Sequence, residues 1–339
     1  MHENKKINEV FEYPLSNEKI NCPIFETNNI EVDILRLDKI HPIISGNKLF
    51  KLSGYHLPPE NIHEKTTRPK KILTFGGAWS NHIVATAYTA QLAGIHATGI
   101  IRGERPAQFS QTLLDAETYG MHLEFISREH YRQISGPNAI PQLQRQYPDT
   151  LIIPEGGAGP QGIEGAKKIL TLTDTTKYTH IACAIGTGTT FQGILAAAQP
   201  HQTIIGVPVL KGFTQPDTPR TVYLKDYHFG GYARHTPELV KFMNDFYKTT
   251  GIPTDFVYTA KLCYAIMHEI AGPEMHLTAP TPREPNRHAP IPREPNPREP
   301  NPHNTAVRKD FFPPHSRILL IHTGGLQGNR SLPPGVLYF

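Results

Sequence analysis

The 339-residue chain reads as an α/β protein built on mostly parallel sheets. Three observations predict this: short β-branched runs alternate with helical stretches, glycine-rich turns fall where strands give way to helices, and no apolar run approaches the ~20 residues a membrane span needs. Residues 30–38 come first, alternating apolar and charged side chains as a strand with one charged face does. The turn Ser45-Gly46-Asn47 follows, with Lys48 and Lys51 just beyond it. Residues 70–75 form a short buried strand, which Gly76-Gly77 breaks ahead of a helix at 83–93. The pattern repeats as a strand at 96–102 and a helix at 111–120. Further strands are predicted at 122–127, 151–154, 181–185, 204–210 and 317–322, and further helices at 161–172 and 237–250. The apolar tail 331–339 is a candidate docking strand.

Length and composition set the bounds. A chain this long suggests two lobes. Lys+Arg 34 against Asp+Glu 30 leaves a charge of +4 spread along the chain, which gives no basic run dense enough for nucleic acid or an acidic membrane. The expected partner is a small molecule. Cys22, Cys183 and Cys263 are too few and too widely spaced for a disulfide framework or a metal site. They read as reduced thiols of a cytoplasmic protein, and the polar opening MHENKKINEVFEYP carries no signal-peptide pattern. From 272 to 304 the pattern collapses into three PREPN-like repeats with almost nothing apolar to bury. This reads as a disordered proline-rich insertion, with a tract for a proline-binding partner as the sharper alternative. The expected lobes are a large domain from 1–51 and 150–339 and a small domain from 52–149.

Three turns carry chemistry. In GGAWSNH, residues 76–82, a strand runs into a helix whose free N–H groups can bind an anion, with Ser80, Asn81 and His82 adding donors. Taken alone, this stretch fits an ordinary βα turn capped by Ser80 or Asn81. In Gly186-Thr187-Gly188-Thr189-Thr190, small residues bare the backbone while the threonines offer hydroxyls, which suits a phosphate monoester. The Gly-Lys-Ser/Thr ending of a nucleoside-triphosphate loop is missing, and the glycine spacing does not fit the dinucleotide fingerprint. The third turn, HTGGLQGN at 322–329, carries Thr323 and is compatible with a plain terminal turn. A lysine just after a strand, in a chain with a phosphate cradle, is what holding a pyridoxal phosphate aldehyde as a Schiff base requires. Lys48 is that lysine. A lone lysine is otherwise a solvated surface charge.

SGNKLFKL, GGAWSNH, the Gly186 to Thr190 loop, DFVYTAK at 255–261 and HTGG occur in the order of motifs of the 1-aminocyclopropane-1-carboxylate deaminase/D-cysteine desulfhydrase family. The chain resembles that family from about residue 30 to 329, apart from the insertion. The resemblance implies the type II fold of pyridoxal phosphate enzymes: two open, mostly parallel sheets flanked by helices, with a homodimer as the usual assembly. It implies that Lys48 bonds the cofactor, Asn81 meets its ring hydroxyl, and Gly186, Thr187, Gly188, Thr189 and Thr190 hold its phosphate. Ser80, Asn81 and His82 would face the substrate carboxylate, and Lys51 would support the cofactor one turn on. Tyr258 and Tyr232 would line the substrate side and move a proton, with core packing as the plainer reading of each.

Cyclopropane deaminases of this family carry Glu after the motif tyrosine and Leu in the HTGG-like turn, where this chain has Thr259 and Thr323. A threonine cannot keep a pyridine nitrogen protonated, so the cofactor would be a weaker electron sink, adequate when a thiolate leaves from Cβ. The expected activity is therefore D-cysteine to pyruvate, sulfide and ammonia, with Lys48 as the Cα base and the D preference resting on the family alone. The alternatives are a cyclopropane deaminase, a D-serine-type ammonia-lyase, a silent cofactor binder, or an interaction protein working through the proline repeats. Ala260 stands where the family has Gly.

Overall fold

The computed structural model describes residues 17–57, 69–136, 138–272, 275 and 311–339. The proline-rich repeats lie outside the described residues. Two sheets organise the chain. The larger contains β1 (Asn17–Lys19), β2 (Glu31–Arg36), β7 (His180–Ile185), β8 (Thr203–Pro208), β9 (Thr221–Tyr223) and β10 (Arg317–His322), in the order β1-β2-β10-β7-β8-β9. Every pairing is parallel except that of β1 with β2. The smaller contains β3 (Lys71–Gly76), β4 (His96–Arg102), β5 (His122–Ile126) and β6 (Thr150–Ile153), all parallel, in the order β5-β4-β3-β6. This is the mixed α/β architecture, with two mostly parallel sheets flanked by helices, that the alternating pattern predicts. The chain leaves the smaller sheet only after residue 153: β6 pairs with β3 from Lys71 opposite Thr150 to Thr74 opposite Ile153.

The alternation in β2 does not mean a solvated face. Five of its six residues are buried, with Val32, Ile34 and Leu35 in the core. Its charges are satisfied internally, as buried charges must be. Asp33 accepts from the Tyr178 hydroxyl at 2.6 Å and Lys177 at 2.7 Å. Arg36 makes a two-bond fork to Asp38, 2.8 and 2.7 Å, and reaches Glu18 of β1 at 2.8 Å. The short strand β1, which lacks any apolar signature, is thus held by a guanidinium.

One hydrophobic core joins the lobes. It runs from Leu35, Leu319 and Ile181 of the larger sheet through Phe50 to Ile72, Ile101 and Ile153 of the smaller. A second core packs the helices Pro237–Thr250 and Thr259–Ala271 on the other face of the larger sheet, and a third small one lies under Phe75, Ile100, Tyr131 and Ile152. Burying these faces is the main stabilising term. The end of the chain forms no strand. After the 3-10 turn Leu326–Ser331, Asn244 donates to the Val336 carbonyl at 2.9 Å and accepts from the Tyr338 N–H at 3.0 Å. The tail is therefore pinned to helix Pro237–Thr250 by one amide side chain and by Phe339, whose ring centroid lies 4.6 Å from that of Tyr247. The three cysteines are buried and unbridged, and no helix among the described residues is long and apolar enough to cross a membrane.

Candidate active site

The lysine turn is built by close approach. Helix Asn47–Ser53 starts after Gly46, which has φ 68°; a Cβ there would sit 1.9 Å from the Thr323 carbonyl oxygen, so only glycine lets the two turns meet. Asn47 N–H donates to that carbonyl at 3.2 Å. Lys48 and Lys51 then fall one turn apart on one face. Lys48 Nζ donates to Asn47 Oδ1 at 2.6 Å, while Asn47 Nδ2 donates to Thr190 Oγ1 at 2.7 Å. Asn47 thereby ties the lysine to the glycine-threonine loop. Burial lowers the Lys48 ammonium from its ordinary 10.5 to about 8, with Asp255 pulling the other way. Lys51 is pushed well down by burial and by Lys48, and its Nζ donates to the Gly156 carbonyl at 2.9 Å.

The loop after β7 opens helix Thr189–Ala197, with Gly188 at φ 84° as its cap residue. Thr187 and Thr189 hydroxyls lie 3.0 Å apart. The loop after β3 opens helix Asn81–Ala93. There Thr74 Oγ1 donates to the Ile153 carbonyl at 2.9 Å and lies 2.8 Å from His82 Nε2. With its own proton used, Thr74 accepts, so His82 carries hydrogen on Nε2 and presents Nδ1 as a lone pair. Burial, then Lys51 and Lys48, depress the imidazole to about 3, keeping it neutral.

These pieces surround one cavity of about 220 Å³. Its wall includes Lys48, Lys51, Ser80, Asn81 and His82, then Gly186, Thr187, Gly188 and Thr190, with Tyr232, Tyr258 and Thr323 closing it. Tyr232 and Tyr258 meet edge to face with centroids 6.1 Å apart, and burial pushes both phenols up, Tyr258 strongly. Lys261 Nζ holds the loop carrying Tyr232 through the His228 and Gly231 carbonyls, each at 2.8 Å. Two of the expected residues stand back from the wall. Thr189 supports Thr187 from behind, and Thr259 is fully buried, its hydroxyl accepting from Asp255 N–H at 2.7 Å and donating to Asp255 Oδ2 at 3.2 Å.

Asp255, buried behind the cavity wall, was given no role from sequence, nor were Asn47, Arg102 and Glu155, which line the cavity. Asp255 accepts from the N–H groups of Val257, Tyr258 and Thr259 at 3.2, 2.8 and 3.1 Å, and so caps helix Thr259–Ala271. An aspartate just ahead of an apolar helical run, a residue type preferred at helix starts, is the signal that would have found it. Arg102 and Glu155 carry no such pattern.

The cavity has the donor set for a phosphorylated aldehyde. A lysine amine of lowered affinity for its proton shares the wall with a helix N-terminus of bared backbone and the hydroxyls of Thr187 and Thr190. Asn81 Oδ1 and His82 Nδ1 are buried with no partner among the described residues, two acceptors waiting for donors that the protein itself does not supply there.

No family model matches the chain. It is 28% identical over 284 residues to the bifunctional D-cysteine desulfhydrase/1-aminocyclopropane-1-carboxylate deaminase of Arabidopsis thaliana, an alignment covering 72% of this chain and 68% of that protein. Among solved structures it superposes on one described as an ACC deaminase homologue with a TM-score of 0.64 and 21% identity, over 94% of this chain and 92% of the other. The diaminopropionate ammonia lyase of Escherichia coli aligns with a TM-score of 0.60 and 11% identity, over 98% and 90%.

Proposed function

We propose that the chain, 28% identical to a bifunctional D-cysteine desulfhydrase/1-aminocyclopropane-1-carboxylate deaminase, is a pyridoxal phosphate enzyme of that kind and converts D-cysteine and water to pyruvate, sulfide and ammonia. The observation that carries the reading is Lys48, with its affinity for a proton lowered to about 8, in one cavity with the Gly186 to Thr190 loop. When bound, pyridoxal phosphate supplies an electrophilic aldehyde and a sink for the electrons released at Cα.

Gly186, Thr187, Gly188 and Thr190 would hold the phosphate on the helix N-terminus. Asn81 would orient the ring through its side chain, whose Oδ1 has no partner among the described residues. The Ser80 hydroxyl and the N–H groups of Asn81 and His82, free at the start of their helix, would take the substrate carboxylate. Lys48, held by Asn47, would remove the Cα proton, and near neutrality an amine of this kind is partly free to accept one. Tyr258 and Tyr232 stay protonated, so they serve as donors toward the departing sulfur. Thr259 offers no carboxylate, and its hydroxyl is engaged by Asp255, which favours loss of a thiolate over opening a cyclopropane.

The test is pyruvate and sulfide release by purified protein loaded with pyridoxal phosphate, given D-cysteine, L-cysteine or 1-aminocyclopropane-1-carboxylate, beside Lys48→Ala. Sulfide from D-cysteine that vanishes in the variant is expected. Turnover of the cyclopropane alone would overturn the substrate, and turnover surviving in Lys48→Ala would overturn the lysine.

A further inference from the structure

One charged pair on the cavity wall has no part in that reading. Arg102 ends β4 and Glu155 opens the 3-10 turn Glu155–Gly157 after β6; both line the cavity beside Ser80, Asn81 and His82. Arg102 also lies against the loop that carries those three. A Cβ on Gly77 would sit 3.4 Å from Arg102 Nη2, so the missing side chain leaves the guanidinium room to lie over the turn. Its position is supported from beneath by Tyr131, whose ring centroid lies 5.5 Å from the guanidinium carbon. Tyr131 itself is buried in the small core under the smaller sheet.

The guanidinium is held but not used up. Glu155 Oε1 stands 3.9 Å from Arg102 Nη1, with the two side chains 36% and 40% exposed. That is longer than a hydrogen bond, and pairs this exposed hold weakly. A planar fork of donors, stacked on an aromatic ring and facing a cavity, matches a carboxylate or another oxyanion. The substrate's own α-carboxylate already has donors at the Ser80 to His82 helix start. A second anion is what remains for Arg102 to bind.

We propose that Arg102 is a specificity residue for an anionic group on the β-substituent, so that the preferred substrates are amino acids whose leaving group carries its own negative charge. This rests on the β-elimination reading and extends its substrates beyond D-cysteine, whose free thiol carries no such substituent. In such a substrate the α-carboxylate sits at the Ser80 turn and the distal anion at Arg102, while Glu155 turns toward solvent. Lys48 would take the Cα proton, the Cα–H electron pair would form the Cα–Cβ double bond, and the Cβ–S pair would leave on a sulfur whose substituent is already anchored.

The experiment compares an isosteric pair, S-carboxymethyl-cysteine and S-carbamoylmethyl-cysteine, in both enantiomers, for the holoenzyme and its Arg102→Gln and Arg102→Lys variants. A charge-assisted hydrogen bond predicts about tenfold higher kcat/KM for the carboxylate over the amide. That ratio should fall to near one in Arg102→Gln and be partly kept in Arg102→Lys. The cofactor's visible absorbance reports that each variant still folds and loads. A ratio near one in the parent, or one unchanged in Arg102→Gln, overturns the proposal. If no amino acid is turned over, the elimination reading fails by itself. Titration of the holoenzyme's absorbance with the same two compounds then decides the binding claim by the same ratio, now of Kd values.

Discussion

Removing the Asp255 carboxylate should damage the fold and the lysine together. Its oxygens accept from three consecutive backbone N–H groups and from Thr259 Oγ1, at a position with no exposure. Asp255→Asn keeps the shape but sets an NH2 against either the Tyr258 or the Thr259 N–H. One charge-assisted bond worth about 1.5–3 kcal/mol is lost and a buried donor is stranded, while relief of the carboxylate's desolvation offsets part of this. The expected net loss is about 2 kcal/mol, read as a lower urea midpoint at constant m in cofactor-free protein. Asp255 also favours the charged form of Lys48, so the variant's Lys48 should titrate below about 8, measured as the pH dependence of its acylation rate. A variant within 0.5 kcal/mol of the parent, a scatter typical of neutral surface changes, would refute the capping argument; an unmoved Lys48 would refute the electrostatic one.

Gly46→Ala drives a Cβ into the Thr323 carbonyl at a left-handed φ, and should cost about 3 kcal/mol or more and abolish cofactor loading, checked by thermal melting and visible absorbance. Thr190→Val removes the acceptor of the Asn47 bond; about 1 kcal/mol of stability and several-fold in pyridoxal phosphate affinity are expected, measured by fluorescence titration. Lys48→Met separates burial from charge in the cofactor-free protein. Because burial lowers the folded lysine from 10.5 to about 8, the unfolded chain binds more protons between those values, and parent stability rises with pH across that window. Lys48→Met should therefore be the more stable protein at pH 7, by on the order of 1 kcal/mol, with the advantage shrinking toward pH 10.5; an advantage that grows with pH would refute the sign.

Strands whose neighbours on both faces are hydrophobic were legible, since β-branched runs bounded by glycine have few other uses. The predicted strands at 96–102 and 317–322 and the predicted helix at 237–250 coincide with β4, β10 and helix Pro237–Thr250. Elements held by polar contacts were not. Strand β1 spells only Asn-Glu-Lys and exists through its pairing with β2 and the Arg36 fork. The helix predicted at 161–172 splits into Pro160–Lys167 and a 3-10 turn, because apolar spacing alone does not distinguish the two windings. The same divide runs through the cavity. Residues in glycine-marked turns announced themselves, whereas Arg102 is a single arginine at the end of an ordinary strand, and only its placement over Tyr131 and Gly77 gives it meaning.

The placement follows from strand direction. Parallel strands deliver all their carboxyl ends to one edge of a sheet, and ligands bind in the crevice beyond those ends. Here two such edges face one cavity. Lys48, the Gly186 to Thr190 loop and Thr323 follow β2, β7 and β10 of the larger sheet, whereas Ser80 to His82, Arg102 and Glu155 follow or end β3, β4 and β6 of the smaller. The larger sheet therefore supplies the groups suited to a phosphate and an aldehyde, and the smaller one the groups suited to the acidic ends of an amino acid. Substitutions at the ends of β4 and β6 can then retune which side chain is accepted without touching Lys48 or the phosphate loop. That separation is why the ratio between two isosteric substrates, rather than the absolute rate, is the quantity that isolates Arg102.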